Sequence, residues 1–201
     1  MNIKITGLLY LLVLVLLFSF AYIPEAKAAS ATVPLSITVN GSLVVSDADN
    51  DTMAGKDPTK NVNISVTPDL GATTASGSAN IRIRTNNSTW RLTAQRTASS
   101  AGSTGIDDTD VKVDITKSAG TNANASSGAL VAPFTAQTNL SSIATVAPVD
   151  VISGTAKTSS MIDNSNANNY FQVNTTYSIN PDFFYSPGTF SSTVTYNLVS
   201  P

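Results

Sequence analysis

The sequence predicts an all-β protein, a single immunoglobulin-like antiparallel β-sandwich of about eight or nine strands. Three observations carry that expectation. Apolar and polar residues alternate with a period of two in many short stretches, as in strands with one buried and one wet face. Glu is nearly absent and Lys sparse, while Thr, Ser, Val, Asn and Gly abound, which favours strands and turns over helices. Turn-forming clusters of Asn, Gly, Pro and Ser separate the alternating stretches, as in a sandwich.

Taken in order, Val33, Leu35, Ile37 and Val39 alternate with polar residues and give a first strand, its start confined to an edge position by Pro34. Asn40-Gly41 is a turn signal, and Leu43-Val44-Val45 follows as a second strand. An acidic loop runs from Ser46 to Lys60, and Val62, Ile64 and Val66 then restore the alternation as far as Pro68. Gly71 to Ser78 reads as a small-residue loop. A hairpin follows, with Ile81 and Ile83 on one arm, Asn86-Asn87-Ser88 at the turn, and Trp90, Leu92 and Ala94 on the other. Val111, Val113 and Ile115 form a further strand. Ser118 to Gly128 is a loop, Leu130-Val131 a short strand, and Val146, Val149 and Val151 a weaker one around Pro148.

The C-terminal stretch has the most regular pattern. Phe171, Val173, Thr175, Tyr177 and Ile179 occupy alternate positions, and after the Pro181–Gly188 turn Phe190, Val194, Tyr196 and Leu198 resume the alternation. This second hairpin closes the sandwich. The expected core is Ile37, Val39, Val62, Ile64, Ile81, Ile83, Trp90, Leu92, Val113, Phe171, Val173, Tyr177, Val194, Tyr196 and Leu198.

Before the first strand stands a short positive region ending at Lys4. An apolar run centred on Leu8 to Phe20 follows, and then Ala26-Lys27-Ala28. That order is the pattern of a secretory signal peptide, residues 1–29, cleaved after Ala28 or Ala29. An uncleaved anchor is the competing reading, since Ile5 to Ile23 could just cross a bilayer. Cleavage leaves residues 30–201 as one sandwich domain, secreted to the cell surface and without a membrane segment. Loss of Lys4, Lys27 and Glu25 takes the formal charge from −2 to −3. With no Cys the secreted domain holds together by burial alone. Its acidic, small-residue surface does not suit nucleic acid.

The inventory excludes much chemistry. Without His or Cys there is no imidazole base, no thiolate nucleophile and no usual zinc site, so the chain reads as a non-enzyme. Two clusters stand out. Asp47, Asp49 and Asp51 alternate, with Asp57 six residues on, and such a loop can offer several hard oxygens to calcium, the one cofactor considered. The competing reading is a solvated acidic turn. All four arginines, Arg82, Arg84, Arg91 and Arg96, fall on the early hairpin. Arg82, Arg84 and Arg91 face away from Ile81, Ile83, Trp90 and Leu92, as candidates to grip an anionic partner through guanidinium forks. The plainer reading is an outward basic face that guards the sheet against aggregation. Trp90, the only tryptophan, reads as a core residue.

Trp90-Arg91-Leu92 and Tyr196-Asn197-Leu198, with the ending Asn197-Leu198-Val199-Ser200-Pro201, resemble the paired Trp-x-Leu motifs of the WxL-domain family of bacterial surface proteins. Tyr196 stands where that family has its second Trp. The resemblance implies non-covalent attachment to peptidoglycan. A second resemblance is to chaperone–usher pilins, carried by Gly188 and the alternation of Phe190, Val194, Tyr196 and Leu198, with Val33 to Val39 similar to a donor strand. It departs at Ser200, where a penultimate Tyr is usual, and lacks a disulfide. The expectation is a cell-wall-associated binding or structural module whose partner is peptidoglycan or another anionic envelope polymer. The alternative is a pilus or fibre subunit that self-assembles by strand donation. Of the two placements for Val33 to Val39, pairing within its own sandwich is preferred over donation to a neighbour.

Overall fold

The computed structural model describes residues 34–162 and 168–201. The 1–29 leader and Val33 lie outside the described residues. The chain divides at Val39/Asn40 into two units. In the first, residues 34–39 form no strand, and Leu35, Ile37 and Val39 are 84%, 79% and 80% exposed. This corrects the expectation that Ile37 and Val39 belong to the core and lie on a strand.

Residues 40–201 are mostly β. Their strands are β1 (Leu43–Asp47), β2 (Ala75–Thr85), β3 (Trp90–Arg96), β4 (Lys112–Ala119), β5 (Gly128–Leu130), β6 (Thr138–Asn139), β7 (Val149–Gly154), β8 (Phe171–Ile179) and β9 (Val194–Val199). Two 3₁₀ turns are the only helical elements among the described residues, and no helix there is long and apolar enough to cross a membrane. The strands form two antiparallel sheets, one in the order β1-β2-β8-β4-β6 and the other β5-β7-β3-β9.

The period of two decides which side chains meet between the sheets. Ile83, Val113, Ile115, Phe171 and Val173 come from the first sheet, and Trp90, Leu92, Ala94, Val151 and Ile152 from the second. Each large apolar side chain so buried contributes about 1.5–3 kcal/mol. Trp90 is fully buried, its ring centroid 6.0 Å from that of Phe171 in the facing sheet. Its indole N–H donates to the Ala156 carbonyl at 2.7 Å. Gly154 makes room for the ring, since a Cβ there would stand 1.9 Å from the indole.

Two expected hairpins prove to be arches. β2 belongs to the five-stranded sheet and β3 to the four-stranded one, so the chain crosses between sheets at residues 86–89. β8 and β9 are divided in the same way, and Tyr177 and Tyr196 meet across the sheets. In an arch, as in a hairpin, both arms turn their apolar side inward, so alternation alone does not separate them.

Three smaller differences follow from packing. The expected loop before Ile81 is half strand, with Ala75 to Ser78 paired to Ile179 to Thr176. Val62, Ile64 and Val66 do point inward, half-buried, yet their stretch joins neither sheet. Val62 lies where a Cβ on Gly77 would come within 2.7 Å of it. Phe134, Leu140 and Ile143 are buried from loops and a 3₁₀ turn, where no strand period marks them.

Candidate basic cleft

On β2, Ile81 and Ile83 face the core, so Arg82 and Arg84 face outward. The register places Val44 of β1 opposite Arg84, Ser46 opposite Arg82, and Gln172 of β8 opposite Arg82 on the other side. The two guanidiniums therefore lie one above the other on the outer face of the five-stranded sheet. Tyr170, just before β8, carries both, its ring centroid 4.1 Å from the Arg82 guanidinium carbon and 5.1 Å from that of Arg84. A cation on an aromatic face is held by the ring's quadrupole.

The acidic loop folds back onto this face. A bridge between Ser46 and Lys56 and the Asp57 N–H donating to the Val45 carbonyl at 2.9 Å fasten its far end to β1. Asp57 makes the sharp turn there with a left-handed φ of 52°. Asp51 is thereby set between the arginines. Arg82 Nη1 donates to Asp51 Oδ2 at 3.2 Å, Arg84 Nη1 donates to Oδ1 at 2.8 Å, and Arg84 Nη2 also bonds Oδ2. Burial pushes the Asp51 carboxyl up, but hydrogen bonds from Arg84, Ser46 and Arg82 outweigh it and bring it down to about 2.

The remaining polar groups hold the arginines in place. Arg82 Nε donates to Gln172 Oε1 at 3.3 Å, and Arg84 Nε to Asn169 Oδ1 at 3.0 Å. On the far rim Thr158 locks its loop to the end of β2. Its N–H donates to the Thr85 carbonyl at 2.9 Å, and its hydroxyl accepts from the Thr85 N–H at 3.1 Å. This brings exposed Lys157 to the lining of the cleft that Lys56 also reaches. The result is an open cleft of about 920 Å³ whose ionic lining, among the described residues, is Arg82, Arg84, Lys56 and Lys157 with Asp51.

The expected calcium ligands are not brought together. Asp47 and Asp49 turn to Lys60, at 3.0 and 3.1 Å, while Asp51 faces the arginines and Asp57 serves the turn. Hydrogen bonding from the Asp49 N–H and Lys60 holds the Asp47 carboxyl below its usual range. Among the described residues no group of three or more His, Cys, Asp or Glu is placed to hold a metal ion.

The expected arginine stripe is divided too. Arg91 lies on the outer face of the other sheet, half-exposed, with Asp150 at 3.2 Å. Arg96 is nearly buried and pairs with Asp108 at 2.7 Å. Tyr170, Lys56 and Lys157 belong to no sequence motif that marks them for this site. Tyr170 had a usable signal, because alternation puts the neighbour of inward Phe171 on the outer face. The two Trp-x-Leu-like motifs fall side by side on β3 and β9, with Leu92 directly opposite Leu198. Comparison of the chain with protein-family models, with curated proteins and with solved structures finds no match in any of the three.

Proposed function

We propose that this is a non-enzymatic, secreted cell-surface module, an immunoglobulin-like sandwich that holds an anionic envelope polymer in the cleft over Arg82 and Arg84. One observation carries the reading. In a chain of net charge −2, four cations and one carboxylate among the described residues line a single open cleft on a sheet face. Lys56 and Lys157 are exposed on the cleft lining, without an ion pair among the described residues, and meet the polymer first. Among the described residues Arg82 donates through Nε and Nη1, which leaves its Nη2 hydrogens for a phosphate or carboxylate. The cleft is open, as suits a chain-like ligand passing through.

The same residues argue against catalysis there. The one carboxylate is ionised and held by two guanidiniums, so it has no proton to give and little basicity to use. Side-by-side placement of Trp90-Arg91-Leu92 and Tyr196-Asn197-Leu198 supports the WxL-like, wall-associated form of the reading.

Co-sedimentation with purified peptidoglycan bearing its anionic polymers tests this. Lys56→Gln and Lys157→Gln together should weaken binding about tenfold at low salt while leaving the thermal midpoint unchanged. Binding unaffected by the pair, or turnover of the polymer during the assay, would overturn the reading.

A further inference from the structure

A two-sheet sandwich has four edges, and three of those formed by residues 40–201 are guarded. β6 has two residues and β5 three, too short to template a partner strand. β1 is fastened to Lys56 and Asp57, through the Ser46–Lys56 bridge and the Asp57 N–H to the Val45 carbonyl. β9 carries no such guard. Its six residues, Val-Thr-Tyr-Asn-Leu-Val, include no charge and no proline, and they pair with β3 without a register shift. Among the described residues β9 has no ladder partner on its other side.

The ladder with β3 fixes which main-chain groups that open side presents. The Thr97 N–H donates to the Thr193 carbonyl at 2.9 Å, so these two residues form a hydrogen-bonded pair. Such pairs recur at every second residue of an antiparallel ladder. The bonded pairs that follow are therefore Gln95 with Thr195, Thr93 with Asn197 and Arg91 with Val199. The Arg96 N–H agrees, since it turns away from β9, to the Ala144 carbonyl at 3.1 Å. Val194, Tyr196 and Leu198 thus point their N–H and C=O groups away from β3, into the open side. A groove of about 370 Å³ lies there, lined by Leu43 and Val45 of β1, by Asp57 and Pro58, and by Tyr196 and Leu198 among the β9 residues.

We propose that β9 of one molecule pairs antiparallel with β9 of a second copy, about a two-fold axis at Tyr196. An axis normal to the joined sheet sets residues of like face opposite each other. Centred on Tyr196, it pairs Tyr196 with Tyr196 of the second copy and Val194 with Leu198 of the second copy. Those are the residues whose main-chain groups are open, so each finds a partner. Centring on Asn197 would carry Val194 past the end of the opposing strand, and centring on Thr195 would do the same to Leu198. On the outer face Thr195 meets Asn197 of the second copy, hydroxyl against amide, and no charge on either strand opposes the approach. A second copy is the occupant these features select, because the edge complements itself in hydrogen bonding, in face and in charge. The contact is isologous and closes at two molecules, the other edges being guarded. It uses none of the residues that line the Arg82/Arg84 cleft. On the polymer-binding reading, which the pairing itself does not need, the dimer would offer one chain two clefts and gain avidity.

The absence of native cysteine allows a direct test on the full chain. Thr195→Cys and Asn197→Cys are made as separate single variants, mixed and oxidised. Both positions are exposed and would face each other in a non-hydrogen-bonded pair, where Cα atoms stand about 4.5 Å apart, within disulfide reach. Pairing about Tyr196 predicts a linked dimer with one of each variant that outnumbers either homodimer. Sedimentation equilibrium of the wild type should show monomer and dimer and nothing larger. Thr195→Lys with Asn197→Lys sets like charges opposite each other and should weaken the dimer at least about tenfold. Mixing that variant with one carrying Thr195→Asp and Asn197→Asp should restore association, which a misfolded chain could not do. Unchanged circular dichroism and thermal midpoint verify that these exposed changes leave the sandwich intact. Any of four results would overturn the pairing: a wild type that is monomeric at every concentration, a lysine variant that associates as strongly, mixed cross-links no more frequent than homodimers, or growth into fibres.

Discussion

Asp51 sits between Arg82 and Arg84 and bonds both, so one carboxylate from the acidic loop fixes two guanidiniums of the sheet face. All three side chains are more than three-quarters buried. Removing the carboxylate leaves two partly buried cations facing each other over Tyr170. We expect Asp51→Asn to cost about 1–3 kcal/mol, between the values for exposed and fully buried pairs. Urea unfolding checks this. The same variant should bind polyanions more tightly, a gain that a purely structural role for the cluster would not produce.

Acid should reproduce the loss. The folded carboxyl is held at about 2, below its ordinary value of 3.8. A depressed carboxyl stabilises the fold above the ordinary value, and that stabilisation is lost as pH falls toward the folded one. Stability should therefore drop by about 2 kcal/mol between pH values of roughly 4 and 2 from this group. Asp51→Asn should lack that part of the drop, which parallel urea titrations at several pH values would show.

At the alkaline side the two sheets have their own titrating contact. Tyr177 and Tyr196 share a hydrogen bond at 3.3 Å, and burial pushes both phenols above their ordinary range, with each other's proximity adding to the rise at Tyr177. A raised folded value means stabilisation that is complete below the ordinary phenol range and lost as pH rises beyond it. Tyr196→Phe should keep the neutral-pH fold and lessen the alkaline loss. Phenolate absorbance followed against unfolding reads both; ionisation of Tyr177 or Tyr196 well before unfolding would contradict the expectation.

Gly154 is the contact point for Trp90. A methyl there would fall on the indole at 1.9 Å, and the ring is fully buried and hydrogen-bonded, so it can move aside only by breaking that packing. Gly154→Ala should destabilise by about 3 kcal/mol or more, at the upper end for overpacking. Tryptophan fluorescence and the thermal midpoint give the result, with a red-shifted emission expected as the ring is displaced.

Much of this fold is readable in the alternation of apolar residues, because a strand with one buried face can hardly be written otherwise. Ile83, Trp90, Leu92, Val113, Phe171 and Val173 are core residues on that ground. What alternation lacks is the identity of the partner. β2 and β3 look like a hairpin and form an arch, since Ile83 and Trp90 face inward in either case. Leu35, Ile37 and Val39 alternate as well as any core strand and yet are exposed, because the pattern carries no record of which edge it fits. The site divides in the same way. Arg82 and Arg84 are visible as outward neighbours of Ile81 and Ile83. In sequence Asp51 groups with the other aspartates as a metal ligand, since its arginine partners are distant along the chain. Lys56 and Lys157 reach the cleft through loop anchors with no periodic signature.

We expect the Arg82/Arg84 face, and no other, to take an anionic polymer. Backbone amide shift mapping during titration with a phosphodiester-linked polyanion tests it most directly. Binding there should give saturable shifts at Lys56, Arg82, Arg84, Lys157 and Tyr170, none at Arg91 on the opposite sheet, and their loss at high salt. Shifts centred on Arg91 and Asp150, or spread evenly over the surface without saturation, would contradict it.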